Sequence, residues 1–155
     1  VKDTGKYEII TPDTQTNEVK SIKRVPNVDL AVVEFSSSKN YKIAKIGNSD
    51  KATASTSVYV TGFPARRGAI PNPPLFFNKG QVQANGTAQS DGYNIIYDND
   101  TLAGMSGGAV LNEQGEVVAI HGRADEQEIG EKSQSKIITG IGITIYLALR
   151  QMLAV

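Results

Sequence analysis

The 155 residues carry 16 Lys and Arg against 16 Asp and Glu, so no net charge draws the chain towards nucleic acid or an anionic surface. There is no cysteine and a single histidine, which excludes disulfides, thiolate metal sites and a multi-histidine metal centre; no cofactor is expected. No apolar run nears the ~20 residues of a membrane-crossing helix, and 39% hydrophobic residues with 15 glycines suit a soluble, turn-rich domain whose compartment the composition leaves open.

In chain order, residues 7–10 read as a short strand closed by a turn at Thr11-Pro12-Asp13. Residues 18–24 suggest a second strand in which Val19 and Ile22 are the packing positions, although their spacing breaks strict alternation. Residues 28–35 form an apolar, β-branched run of strand length, followed by a serine-rich loop and a brief strand over 43–46. The polar stretch 51–56 reads as a connection between two halves.

The second half opens with a strand over 57–62. Residues 63–68 and the proline cluster 71–74 must be loop, because proline has no N–H for a central strand. Strand character resumes over 75–82, with Lys79-Gly80 a candidate bulge, and again over 92–97 until Asp98-Asn99-Asp100 breaks it. Residues 109–111 and 116–121 form a hairpin around Asn112-Glu113-Gln114-Gly115. Residues 123–135 read as a polar, mobile loop and 137–144 as a curved strand containing Gly140 and Gly142. Residues 145–155 are the one convincing helix, with Ile145, Leu149, Met152 and Leu153 on its apolar face. Short strands, frequent turns and one terminal helix define an all-β sandwich or barrel. Phe76, Phe77, Tyr93 and Tyr97 read as strand core, and Arg66 and Arg67 as exposed loop.

The chemistry concentrates in Gly104-Met105-Ser106-Gly107-Gly108-Ala109-Val110-Leu111, a serine on a glycine-rich turn running into an apolar strand. A glycine two residues before the serine leaves bare backbone beside it, so that the N–H groups of Gly104 and Ser106 can converge on one oxygen as an oxyanion hole requires. A serine in a glycine-rich hairpin turn is also a purely structural feature. Gly-x-Ser-x-Gly further describes the nucleophile elbow of α/β-hydrolases, but that fold needs a helix after the serine, and here a hairpin follows.

This stretch, with Val117-Val118-Ala119-Ile120-His121-Gly122 behind it, resembles the nucleophile region of trypsin-like (chymotrypsin-fold) serine proteases, most of all the compact, cysteine-free bacterial members. Upstream, Val28-Asp29-Leu30-Ala31-Val32-Val33 is similar to that family's acid motif. The resemblance implies two Greek-key β-barrels with the site between them: residues 1–50 as an incomplete first barrel, 51–144 as the second barrel and 145–155 as the C-terminal helix. It also implies a polypeptide substrate, Ser106 as nucleophile and Asp29 as the carboxylate that steadies a histidine. The family's histidine lies on a Thr-Ala-x-His stretch before the acid, and nothing before Asp29 contains one. The base is therefore expected from outside this chain, on a clipped N-terminal segment or a region upstream of Val1.

On the same resemblance His121, although the one histidine, is not the base but wall of the primary specificity pocket or a satisfied barrel histidine, with Gly122, Gly140 and Gly142 keeping that wall open. Two specificities are in play, with cleavage after Lys or Arg slightly favoured. Asp100, six residues before Ser106, matches the position of an Asp that pairs with a substrate Lys or Arg; Thr101 and His121 match positions that hold a substrate Glu. A buried Asp would repel that Glu, so the direction of Asp100 decides between them. Met105 replaces the Asp that pairs with a newly cut N-terminus in digestive relatives. A different class of function, a protease-fold binding module without turnover, and an autolysis fragment are the alternatives to an endopeptidase.

Overall fold

A computed structural model describes residues 5–68, 71–128 and 136–154. Among the described residues nine strands and one α-helix follow in sequence. The first three, β1 (Glu8–Ile10), β2 (Thr16–Arg24) and β3 (Ala31–Phe35), form an open antiparallel sheet in that order. The next six are β4 (Ser57–Gly62), β5 (Phe76–Asn85), β6 (Ile95–Tyr97), β7 (Ala109–Leu111), β8 (Val117–Glu128) and β9 (Lys136–Thr144). They close into a barrel of spatial order β4-β5-β6-β9-β8-β7, in which β9 returns past the β7–β8 hairpin to pair with β6. That return is a Greek-key crossover. Helix α1 (Ile145–Leu153) follows β9 directly. The all-β class with a C-terminal helix is as the sequence indicates.

Alternation explains the barrel wall. In β4, Val58 and Val60 are fully buried while Tyr59 between them is not. They meet Val82, Ile95, Tyr97, Met105, Val110 and Val118 in the barrel core, and each buried Val contributes about 1.5 kcal/mol or more relative to exposure. The broken alternation of β2 has a physical cause. A register shift between Val19 and Ser21 places one extra residue against β3, which returns Val19 and Ile22 to the same half-buried face.

Several expectations are corrected. The β4–β5 register runs without interruption through Lys79 and Gly80; the bulge falls between Val82 and Ala84, against β6. Residues 28–30 precede β3 as a turn closed by Val25 N–H on the Leu30 carbonyl (3.0 Å), and residues 43–46 make only one isolated bridge, Ile46 to Val117. The polar stretch after Gly122 continues β8 to Glu128, because its partner β9 supplies a matching ladder from Thr144 to Lys136; residues 129–135 lie outside the described residues. Phe77 is 57% exposed, its ring against Tyr59 on the outer face. In α1 the packed stripe is Ile145, Ala148, Leu149 and Met152, and Leu153, the last helical residue, is 84% exposed.

A second apolar cluster joins the two sheets. Val28 and Leu30 from the turn before β3 pack with Tyr93, Ile120, Ile141, Ile143 and the first turn of α1. This cluster fixes the turn that carries Asp29 against the closed barrel.

Candidate active site

The turn between β6 and β7 is held from both sides. Asp98 accepts from the Gln81 N–H (2.7 Å) and the Gln83 side-chain amide (2.9 Å). Fully buried Asn99 donates to the carbonyls of Val58 (3.0 Å) and Asn78 (2.6 Å), and the Asp100 carbonyl accepts from Asn78 (2.5 Å). Met105 turns inward, 1% exposed, and plugs the barrel beside Gly62, which explains an apolar residue next to the serine. On the far side Gly107 N–H donates to the His121 carbonyl (2.7 Å) and His121 N–H to the Gly108 carbonyl (2.8 Å), so β8 clamps the turn.

Within this turn the N–H groups of Met105 and Gly108 are committed to Leu102 and Met105 carbonyls, and that of Gly107 to His121. Those of Gly104 and Ser106 have no hydrogen-bond partner among the described residues. Gly104 has φ +99°, and a Cβ there would run into the backbone of Ala65, so only glycine fits. Ser106 is exposed at the tip.

Ser106 opens into a cleft of about 530 Å³ between the sheets, lined also by Val28, Asp29, Leu30, His121 and Gly122. Asp29 is held at the opposite side: its N–H donates to the Asp91 carbonyl (2.8 Å), and its Oδ2 accepts from the Tyr93 hydroxyl (2.5 Å). Burial, then the hydrogen bond to Asp29, raises the Tyr93 phenol to about 12, so it stays a donor at neutral pH. The Arg123 guanidinium lies 4.9 Å from the Tyr93 ring centroid. A Cβ on Gly122 would overlap the same ring; Tyr93 occupies the space that this glycine leaves.

His121 is 2% exposed and sits on the cleft floor. Its Nδ1 is hydrogen-bonded to the Tyr97 hydroxyl (2.6 Å), and burial lowers its pKa, which keeps the ring neutral. Nε2 has no hydrogen-bond partner among the described residues. The room left by Gly140 is filled by the Tyr97 ring, and that at Gly142 by the Ile120 carbonyl and the Tyr97 hydroxyl. Asp100 is exposed and Thr101 half-buried, and neither lines the cleft. Ser106, Asp29, His121 and Gly122 are thus brought together, with Gly104 beside them in the same turn. The two tyrosine hydroxyls leave one signal in the sequence: a core tyrosine, unlike phenylalanine, must find its O–H a partner.

Residues 1–120 match the trypsin-like peptidase domain, and the chain belongs to that family of serine peptidases. It is similar to glutamyl endopeptidase of Staphylococcus aureus: strains MW2 and MRSA252 both give 31% identity over 100 residues. The match covers 60% of this chain and 28% and 26% of those relatives, so the chain spans little more than a quarter of their length. Among solved structures it is similar to the HtrA-type protease AlgW with a decapeptide, with a TM-score of 0.74 at 22% identity, over 95% of this chain and 43% of that one. A variant of AlgW with a tripeptide gives a TM-score of 0.72 at the same identity, over 95% and 46%. At that identity the likeness is one of fold.

Proposed function

We propose that this chain carries the nucleophile, oxyanion hole and acid of a serine endopeptidase that cleaves after glutamate. Ser106 Oγ attacks the scissile carbonyl and gives its proton to a histidine supplied from outside these 155 residues, on an N-terminal segment. Asp29 orients that histidine and stabilises the imidazolium, while Gly104 and Ser106 N–H receive the negative charge that develops on the carbonyl oxygen. The observation that carries this reading is the pair of unpartnered N–H groups flanking an exposed serine, across a cleft from a carboxylate already anchored by Tyr93. A binding module has no use for that pair. His121 does not serve as base, because its Nδ1 partner is a neutral phenol rather than a carboxylate that would stabilise an imidazolium, and burial already lowers its pKa.

Glutamate is favoured over Lys or Arg on three grounds. His121 offers an uncommitted ring nitrogen at the cleft floor, and Asp100, the residue that would pair with a basic side chain, is exposed and outside the cleft lining. The similar S. aureus proteins are glutamyl endopeptidases. The test is a peptide panel varied only at the residue before the scissile bond, given to the protein together with its histidine-bearing segment. Glu should exceed Gln, Lys and Arg by about a hundredfold in kcat/KM; cleavage after Lys or Arg would overturn the glutamate assignment, and no cleavage anywhere would overturn the endopeptidase.

A further inference from the structure

Tyr97 and His121 stand two strands apart, on β6 and β8, with β9 between them. The register sets Tyr97 opposite Gly140 and His121 opposite Gly142. A Cβ at Gly140 would enter the Tyr97 ring, and one at Gly142 would stand 3.0 Å from its hydroxyl oxygen. Two glycines on the intervening strand therefore let the tyrosine reach across to the imidazole, where the rings sit 5.8 Å apart at 50°.

We propose that Tyr97 is a specificity-positioning residue: its hydroxyl donates to His121 Nδ1, fixes the neutral imidazole with its hydrogen on Nε2, and so aims one N–H donor into the cleft for a substrate carboxylate. The proposal rests on the glutamate reading and deepens it.

The tautomer follows from counting hydrogens. Burial holds the phenol protonated and the imidazole neutral, so each group has one hydrogen to place. Tyr97 is fully buried, and Nδ1 is its hydroxyl's one partner among the described residues. If Nδ1 carried the hydrogen, the phenol O–H would be left without an acceptor in the core, which is costly. With the phenol donating, Nδ1 is the acceptor and the hydrogen sits on Nε2. A Glu carboxylate accepts from that N–H. The opposite tautomer would point a lone pair at the carboxylate and would instead accept from a Gln amide. The Gln carbonyl oxygen can accept from the same N–H, but an ionised carboxylate accepts roughly twice as strongly, so the pocket favours the acid over its amide without a positive charge on His121.

The test uses the catalytically complete protein labelled with 15N-histidine, the His121 signals being those lost in His121→Gln. Two-bond 1H–15N spectra near pH 8 should give an unprotonated Nδ1 and a protonated Nε2. Tyr97→Phe keeps the ring and removes the hydroxyl; the tautomers should then mix, and the Glu-over-Gln ratio in kcat/KM should fall about tenfold, through KM rather than kcat. A protonated Nδ1 in the wild type would overturn the proposal even if Tyr97→Phe did not fold. So would an unchanged ratio in a folded Tyr97→Phe enzyme. A protonated Nε2 in an enzyme indifferent to Glu and Gln would overturn the glutamate reading itself, and the specificity role with it.

Discussion

The Tyr93 hydroxyl donates to Asp29 Oδ2 across 64 residues of chain, tying the chain just before β6 to the carboxylate on the turn before β3. A carboxylate that must orient an imidazole needs one oxygen fixed so that the other is aimed. Removing the donor in Tyr93→Phe leaves the packing and loses a hydrogen bond to a charged group, worth ~1.5–3 kcal/mol. The expected result is a kcat at least about tenfold lower with KM near wild type, measured on the complete enzyme. Unchanged kcat would mean Asp29 is held without Tyr93.

Alkaline stability reads the same contact. The ordinary phenol value is 10, and in the folded chain Tyr93 is pushed up to about 12. A group raised on folding contributes its stability fully below the unfolded value and loses it as pH climbs through the folded one. Urea melts between pH 9 and 12 should show wild type losing stability faster than Tyr93→Phe above pH 10. Parallel curves would show that Tyr93 does not differ between the folded and unfolded states.

In acid the sign reverses. His121 has its pKa lowered from 6.5 by burial, so the unfolded chain takes up its proton first. Stability should therefore fall as pH drops below 6.5, and His121→Gln should flatten that part of the profile. A decline identical in both proteins would contradict the buried neutral imidazole.

Gly104→Ala tests the turn. At φ +99° with the Ala65 backbone against it, an added methyl costs ~1–3 kcal/mol and displaces an oxyanion donor. A kcat loss of about a hundredfold is expected, with a lowered midpoint in urea. Near-normal kcat would remove Gly104 from the mechanism.

What could be read from the sequence was local. The β7–β8 hairpin, the proline loop and the barrel strands follow from turn residues and alternation within ten or so positions. The bulge in β2 shows as broken alternation at Val19 and Ile22, whereas the one in β5 falls where Gln81-Val82-Gln83-Ala84-Asn85 keeps alternating and leaves no such trace. The turn around Ser106 was legible because glycine spacing reports backbone conformation directly. The supports of the site were not. Tyr93 meets Asp29, and Tyr97 meets His121, only through strand order and register, and the glycines that admit those rings lie on other strands. The polar arm of β8 read as loop because its strand character comes from the ladder with β9 rather than from its own composition.

Covalent labelling of Ser106 tests the central claim most directly. The folded, complete protein would be treated with a fluorophosphonate and the modified peptide located by mass spectrometry. One adduct is expected, on Ser106, abolished in Ser106→Ala and much slowed in Asp29→Asn. Folded protein that takes up no label, or that is labelled at another serine, would contradict the claim.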